Sequence, residues 1–144
     1  MFNWVRKKKP LEGSEIDHFV LGKLTWCKED KEWIGFYSGV LITLAYEDNV
    51  IEPSNELIDY ASKMLEGNKL GVFLEREKEK LMQALGDLSS EHRAEINELY
   101  FDSINFSLFK GKEYIFICLG PNNDERCWRL EIFGENESAL GFDS

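Results

Sequence analysis

The spacing of apolar residues changes twice along this chain. Residues 19–46 alternate apolar and polar side chains, residues 54–86 carry apolar residues three and four positions apart, and residues 100–133 alternate again. A period of two is typical of strands exposed on one face, and a spacing of three or four is typical of amphipathic helices. The sequence therefore predicts strands, then helices, then strands.

Three short strands are expected before the helices. They are the segments "FVLGKLTW", "WIGFYS" and "VLITLAY", separated by the polar run "CKEDKE" and by Ser38-Gly39. In the first of them Leu24 and Trp26 share one face. Trp26 and Trp33 flank the first turn, and we interpret them as a packed cross-strand pair rather than as a platform for a ligand.

Two helices are expected next, with a shorter third one. Ser54 is a suitable N-cap for the first helix, and Gly67 supplies its end. The second spans roughly residues 69 to 86. The third, in "SSEHRAEINEL", would be capped by Ser89 or Ser90.

The second group of strands comprises "YFDSINFSLF", "EYIFICLG" and "CWRLEIFG", and the tail "ESALGFDS" can add a short edge strand. Because "EYIFICLG" is apolar on both faces, we expect a central strand covered on both sides, or in part by helix and tail, with Cys118 buried. The predicted fold class is α+β. It consists of an antiparallel sheet of about six strands, in the order strand meander, two or three helices, strand meander, with the helices packed on one face.

The length of 144 residues fits one domain. Residues 1–17 are predicted to be a flexible basic N-terminal segment, and residues 18–144 a single α+β domain. No stretch approaches the roughly 20 apolar residues of a membrane span, and the start lacks the pattern of a signal peptide. We therefore expect a cytoplasmic protein without stable membrane association.

The charge of the chain limits its partners. The formal net charge is −10, and residues 6–9 hold four of the 17 cations, so residues 10–144 carry 13 cations and 27 acids. Nucleic acid would be repelled by such a surface, whereas a basic protein would be attracted and steered. Acidity that serves only solubility is the alternative interpretation.

No catalytic pattern is found. The two histidines, His18 and His92, have no ligand partner at helical spacing, and phosphate-loop, nucleophile-elbow and zinc motifs are absent from the sequence. The cysteines Cys27, Cys118 and Cys127 are odd in number and form no C-x-x-C, which favours reduced thiols. We predict no enzyme activity, no cofactor and no metal.

The candidate partner-binding residues are acids. One group lies in the aromatic and acidic C-terminal third and comprises Glu131, Glu135, Glu137 and Asp143. The second group, in the first hairpin loop, comprises Glu29, Asp30 and Glu32. Interfaces combine aromatic centres with polar rims, which is the reason for choosing these segments. The alternative is that the aromatics are core and the acids merely solvated.

Several of these segments resemble a bacterial protein family. The family consists of small bacterial domains. The segments similar to it are "HFVLGKLTW", "KEWIGFYSG", a helix pair, "ELYFDSINF" and the closing "LEIFGENESALGFDS". The similarity covers most of residues 16–143 and rests on scaffold positions: Leu21, Gly22, Trp26, Trp33, Gly35 and Gly141. Members of this type resemble immunity proteins of contact-dependent or polymorphic toxin–immunity pairs.

The resemblance implies a function but assigns no site residue. It implies an immunity protein that binds and neutralises a cognate toxin. From the charge of the chain we expect this toxin to be a basic nuclease domain, occluded through an acidic surface. The alternative is a cytosolic small-molecule-binding or regulatory domain without catalytic activity, in which Trp26 and Trp33 line a cleft.

Overall fold

The described part of the chain contains eight strands and three helices. A computed structural model describes residues 13–45, 53–84, 90–121, 123 and 126–143. The strands are β1 Glu15–His18, β2 Gly22–Cys27, β3 Glu32–Tyr37, β4 Val40–Ala45, β5 Tyr100–Phe109, β6 Lys112–Gly120, β7 Cys127–Phe133 and β8 Glu137–Asp143. The helices are α1 Asn55–Leu65, α2 Lys69–Ala84 and α3 Ser90–Glu98, with a short 3-10 helix Glu66–Asn68 between α1 and α2.

The eight strands form one mixed sheet in sequence order. Every neighbouring pair is antiparallel except β4 and β5, which run parallel, with Ile42 opposite Ile104 and Leu44 opposite Phe106. Parallel neighbours need a crossover connection, because a tight turn reverses the direction of the chain and makes the two strands antiparallel. The helical region between Ala45 and Tyr100 is that connection.

The predicted antiparallel sheet of about six strands, with helices packed on one face, is therefore wrong. The sheet has eight strands and is mixed. The helical crossover brings β5 back beside β4 in the same direction. The strand β1 comes from the segment assigned to the lead-in, where Glu15 and Asp17 hide any apolar alternation. Residues 1–12 of that segment lie outside the described residues.

Local expectations for the helices hold where they can be compared. The Ser54 hydroxyl oxygen accepts a hydrogen bond from the Leu57 backbone N–H at 3.1 Å, which confirms the predicted N-cap of α1. Gly67 follows α1 with φ of 70°. Residue 86, expected to end the second helix, and Ser89, one of the two candidate caps, lie outside the described residues.

One buried cluster joins alternate strand residues to the apolar residues of the helices. It includes Leu24 and Trp26 from β2, Trp33 from β3, and a row of buried side chains across β4 to β7. The rings of Trp26 and Trp33 are directly opposite each other across the hairpin, 5.6 Å apart and tilted by 58°. Both are almost fully buried, so the prediction of a packed cross-strand pair is confirmed. No helix of the described part of the chain is long and apolar enough to cross a membrane.

Candidate interaction face

The strand residues that point away from the buried cluster form the second side of the sheet, here called the open face. One row in register across β2 to β8 shows its composition: Thr25, Ile34, Thr43, Asn105, Phe116, Glu131 and Ala139. Of this row only Thr43 is buried. The open face is thus mostly solvent-accessible over the breadth of the sheet.

Apolar side chains occupy much of the open face. Phe36 on β3 is 67% exposed, Phe109 on β5 is 65% exposed and Phe133 on β7 is 45% exposed. Cys118 is exposed as well, so the expectation that "EYIFICLG" is covered on both sides, with a buried Cys118, is wrong. Large exposed apolar patches on soluble proteins mark interaction surfaces more often than chance.

A polar group lies near the centre of the open face. The Asn105 side-chain amide donates to the Thr43 hydroxyl at 2.6 Å and to the Glu32 carboxylate at 3.4 Å. Burial raises the pKa of Glu32, and the charge of Asp30 raises it further, whereas a hydrogen bond with Thr43 opposes both effects. These contacts hold Glu32 in place beside Ala45, its half-buried partner on β4.

Arg129 neutralises two of the predicted partner-binding acids. Its Nε lies 3.0 Å from a Glu131 carboxylate oxygen, and its Nη1 lies 2.6 Å from a carboxylate oxygen of Asp143. Asp143 is 14 positions away in sequence, and pairing of β7 with β8 brings it close. The charge that these two acids present to a partner is therefore reduced.

A second ionic group lies at the turn between β7 and β8. Glu135 pairs with Lys63 of α1, which lowers the pKa of Glu135 and raises that of Lys63. Burial raises the pKa of nearby Glu113, and the charges of Glu135 and Glu56 raise it further. The Tyr60 hydroxyl also donates to the Gly134 carbonyl at 2.6 Å, so α1 fixes this turn.

Five of the seven predicted acids lie at one end of the sheet, but the two groups do not meet. The turns at residues 28–31, 110–111 and 134–136 lie at the same end of the sheet, because β2, β5 and β7 run in one direction. This places Glu29, Asp30 and Glu32 at the same end as Glu135 and Glu137. Five strand spacings, about 24 Å in total, separate Glu32 from Glu137. Glu131 lies mid-strand, and Asp143 lies at the opposite end.

Acidic side chains outnumber basic ones on the strands of the open face. Its strand residues include three bases, Lys23, Lys112 and Arg129. They include six acids: Glu15, Asp17, Glu32, Glu131, Glu137 and Asp143. An acidic surface with exposed aromatic residues complements a basic protein better than it does nucleic acid.

A groove of about 840 Å³ lies at the end of the open face, between the turns that join β5 to β6 and β7 to β8. Three aromatic side chains line it, Phe109, Tyr114 and Phe133, and the rings of Tyr114 and Phe133 are 5.4 Å apart. Lys112, Glu113 and Glu137 supply polar groups. The buried Trp26 and Trp33 do not line it.

His18 and the cysteines are not arranged as a catalytic or metal site among the described residues. His18 ends β1, and its Nδ1 accepts hydrogen bonds from the backbone N–H groups of Val20 and Leu21 at 3.1 and 3.2 Å, so it stabilises the turn after β1. Cys27 and Cys127 lie on β2 and β7, five strand spacings apart and far beyond disulfide reach. Among the described residues no group of three or more His, Cys, Asp and Glu could hold a metal ion.

Sequence reasoning missed the apolar residues of this face. The sequence predicts a strand in the segment that contains Phe36, and a covered strand in the segment that contains Phe116, but no exposed apolar face in either. The available signal was the second apolar face of "WIGFYS" and "EYIFICLG", which alternation alone assigns to burial. Comparison with known proteins adds nothing further, since no family model, no curated protein and no solved structure matches this chain.

Proposed function

We propose that this chain is an immunity protein of the bacterial cytoplasm, which binds a basic toxin domain through the open face and thereby occludes it. A nuclease is the favoured class of toxin, because surfaces that hold nucleic acid are basic. One observation carries the proposal: acids from two distant parts of the sequence share a sheet face with exposed phenylalanines. The sequence resemblance to immunity proteins points the same way.

Binding in this proposal has two physical parts. The net charge of −10 attracts a basic partner from a distance and raises the rate of association. Once the partner has docked, Phe36 and Phe133 lose their exposed area to the interface, and a few such anchors carry most of the binding energy. The partner is blocked by occlusion, and no bond is made or broken.

The proposal is tested first with the protein encoded beside the gene for this chain. That protein is expressed in a bacterial host with and without this chain. We expect growth to stop in the host that lacks this chain and to be restored when the chain is present. A neighbouring product that leaves growth unchanged, or toxicity that this chain does not relieve, contradicts the proposal.

A matched pair of variants tests the open face itself. Phe36 on the open face and Val72 on α2 have similar exposure, 67% and 62%. Phe36→Ser should weaken toxin binding at least about tenfold, which is typical for an interface anchor, and Val72→Ser should not. Equal affinity of the two variants would remove the open face from the proposal.

The electrostatic part has its own test. Reversing the charge of Glu135 and Glu137 to lysine should slow association and flatten its dependence on salt, because steering acts through the long-range field. Glu66→Lys with Glu98→Lys changes the net charge equally at helix positions that are not part of the sheet. Identical association rates for the two double variants would show that local charge plays no part.

A second candidate function, binding of a small molecule, is favoured by the groove beside Tyr114 and Phe133. Its volume of about 840 Å³ lies within the range of ligand sites, and most of its lining is apolar. A metabolite that shifts the NMR resonances of Tyr114 and Phe133, in a protein that does not neutralise the neighbouring gene's product, would establish it in place of the first.

A further inference from the structure

The two edges of the sheet differ in how well they are protected against further pairing. β1 has four residues, and two of them, Glu15 and Asp17, are acidic. β8 has seven residues, and the five in its middle, residues 138–142, are uncharged. Short or charged edge strands resist the addition of another strand, whereas a long neutral edge invites it. Of the two edges, β8 is therefore the one open to a further strand.

The backbone of β8 is regular and pairs on one side. All seven of its residues are in register with β7, from Glu137 opposite Phe133 to Asp143 opposite Cys127. Among the described strands β7 is the only neighbour of β8. Its sequence, "ESALGFD", contains no proline, and the pairing with β7 shows no register shift. The N–H and C=O groups on its outer side thus form an uninterrupted row.

Side-chain contacts hold β8 in this extended form without using its outer backbone edge. On α2, Arg76 Nη2 donates to the Ser138 hydroxyl at 2.9 Å, and that hydroxyl donates to Glu77 at 3.0 Å. The ring of Phe142 lies 4.9 Å from that of Trp128. A strand fixed before binding loses little conformational entropy when another strand is added.

Charge decides which strand fits. A second copy of this chain, added antiparallel about Leu140, would place Glu137 opposite Asp143 of the other copy at both ends of the pair. Like charges directly opposite each other destabilise a strand pair, and each copy already carries a net charge of −10. A segment with lysine or arginine at its ends and an uncharged centre meets Glu137 favourably, and its other cation shares Asp143 with Arg129.

We propose that the free edge of β8 binds an extended, basic-ended segment of the partner protein as a ninth strand of the sheet. Main-chain hydrogen bonds then supply the contact along residues 138–142, and Glu137 and Asp143 set the register. The small side chains of Ala139 and Gly141 on the open face leave room for larger side chains of the added strand. The proposed β8 site depends on the proposed function in one respect only: the added segment is taken to be part of the toxin.

The test uses a synthetic peptide and does not need the toxin. The probe is a seven-residue peptide of alternating threonine and valine with a lysine at each end, added to the full-length chain labelled with nitrogen-15. We expect shifts over residues 138–142, and slower hydrogen exchange at those amides in this range that point away from β7. A peptide with glutamate ends, and a lysine-ended peptide methylated at successive backbone nitrogens so that both of its edges are blocked, should bind at least about tenfold more weakly.

A charge-matched pair of variants completes the design. Glu137→Lys with Asp143→Lys should lose about tenfold in affinity for the lysine-ended peptide, whereas Glu66→Lys with Glu98→Lys should keep it, although both change the net charge equally. The proposal is overturned by an absence of binding at millimolar peptide, by shifts at β1 or on the open face alone, or by undiminished binding of the methylated peptide. A dimer that protects β8 in the absence of peptide would assign the edge to a second copy. A negative peptide result leaves the growth test of the immunity function unaffected.

Discussion

Glu95 connects α3 to the beginning of β7. One of its carboxylate oxygens accepts from Arg126 Nε at 2.7 Å and from the Trp128 indole N–H at 3.2 Å, and the other accepts from Arg126 Nη2 at 2.9 Å. The hydrogen bonds from Arg126 lower the pKa of Glu95 to about 2, against the opposing effect of desolvation. Thirty-one positions separate the two residues, so the sequence pattern did not reveal this pair.

The lowered pKa of Glu95 predicts a pH dependence of stability. A carboxyl group with a depressed folded-state pKa contributes stability that is complete above its ordinary value of 4.5 and is lost as the pH falls towards 2. Glu95→Gln should cost roughly 1.5–3 kcal/mol at neutral pH, as for hydrogen bonds to charged groups, and should flatten the acid limb of the stability curve. Urea unfolding measured at several pH values between about 2 and 7 checks both effects. Glu98→Gln on the same helix is the control, and an equal effect there would contradict the assignment.

Gly35 illustrates a close approach between strands. A Cβ atom at this position would lie 2.8 Å from the Lys23 carbonyl oxygen and 2.8 Å from a Leu24 methyl carbon. The carbonyl is part of the neighbouring strand and cannot move independently. At Gly141, another strand glycine, the nearest atom would be a side-chain nitrogen of Arg129 at 3.9 Å.

Alanine at these two glycines should therefore have different effects. Gly35→Ala is expected to lower the free energy of unfolding by about 1–3 kcal/mol, because the added methyl group overpacks the β2–β3 pair. Gly141→Ala should change it by less than about 0.5 kcal/mol. Thermal or urea unfolding of the two variants measures the difference. Similar losses at both sites would contradict overpacking as the cause of the loss at Gly35, because alanine is more favourable than glycine in a strand.

At the scale of elements, the sequence predicts the individual strands and helices but not which strands pair. The strands from β2 to β7 and the three helices lie where apolar periodicity predicted them, and Ser54 caps α1 as its side chain suggests. β1 was missed because a four-residue strand with two acids carries no periodic signal. The parallel pairing of β4 with β5 was missed because periodicity says nothing about which strands become neighbours after a crossover.

The cap of α1 offers an element-scale prediction. Ser54→Ala removes the acceptor for the Leu57 N–H and should cost about 1 kcal/mol of stability, whereas Ser54→Asp, which keeps an acceptor near the positive end of the helix, should cost little. Circular dichroism during urea unfolding gives both values. A full loss in the aspartate variant would show that the Ser54 side chain acts through something other than the cap.

At the scale of the molecule, the sheet has one side buried in the core and one side facing solvent. All three cysteines point to the open face: Cys27 from β2, Cys118 from β6 and Cys127 from β7. Cys118 and Cys127 are exposed, and Cys27 is half-buried with its thiol 3.5 Å from Asp30. The native thiols therefore report on whether this face is covered.

Thiol labelling tests the open face without any substitution. In the free native protein, Cys118 and Cys127 should react with a thiol reagent at rates close to those of the unfolded chain, and Cys27 more slowly, because exposure controls access at similar reactivity. A bound toxin should slow labelling of Cys118 by about tenfold or more if it occupies this face. Mass spectrometry of the labelled peptides assigns each rate, and a toxin complex with unchanged labelling would place the contact elsewhere.

The sequence by itself determined the types and approximate limits of most elements and which side chains of a strand share a face. Those properties depend on residue periodicity and on caps within a few positions. Only the tertiary structure decided that β4 and β5 run side by side, that β1 extends the sheet, and that the second apolar side of β3 and β6 faces solvent. Each depends on contacts between residues far apart in the chain. Alternation along one strand shows that a side chain is apolar, but burial requires that another part of the chain lie over it.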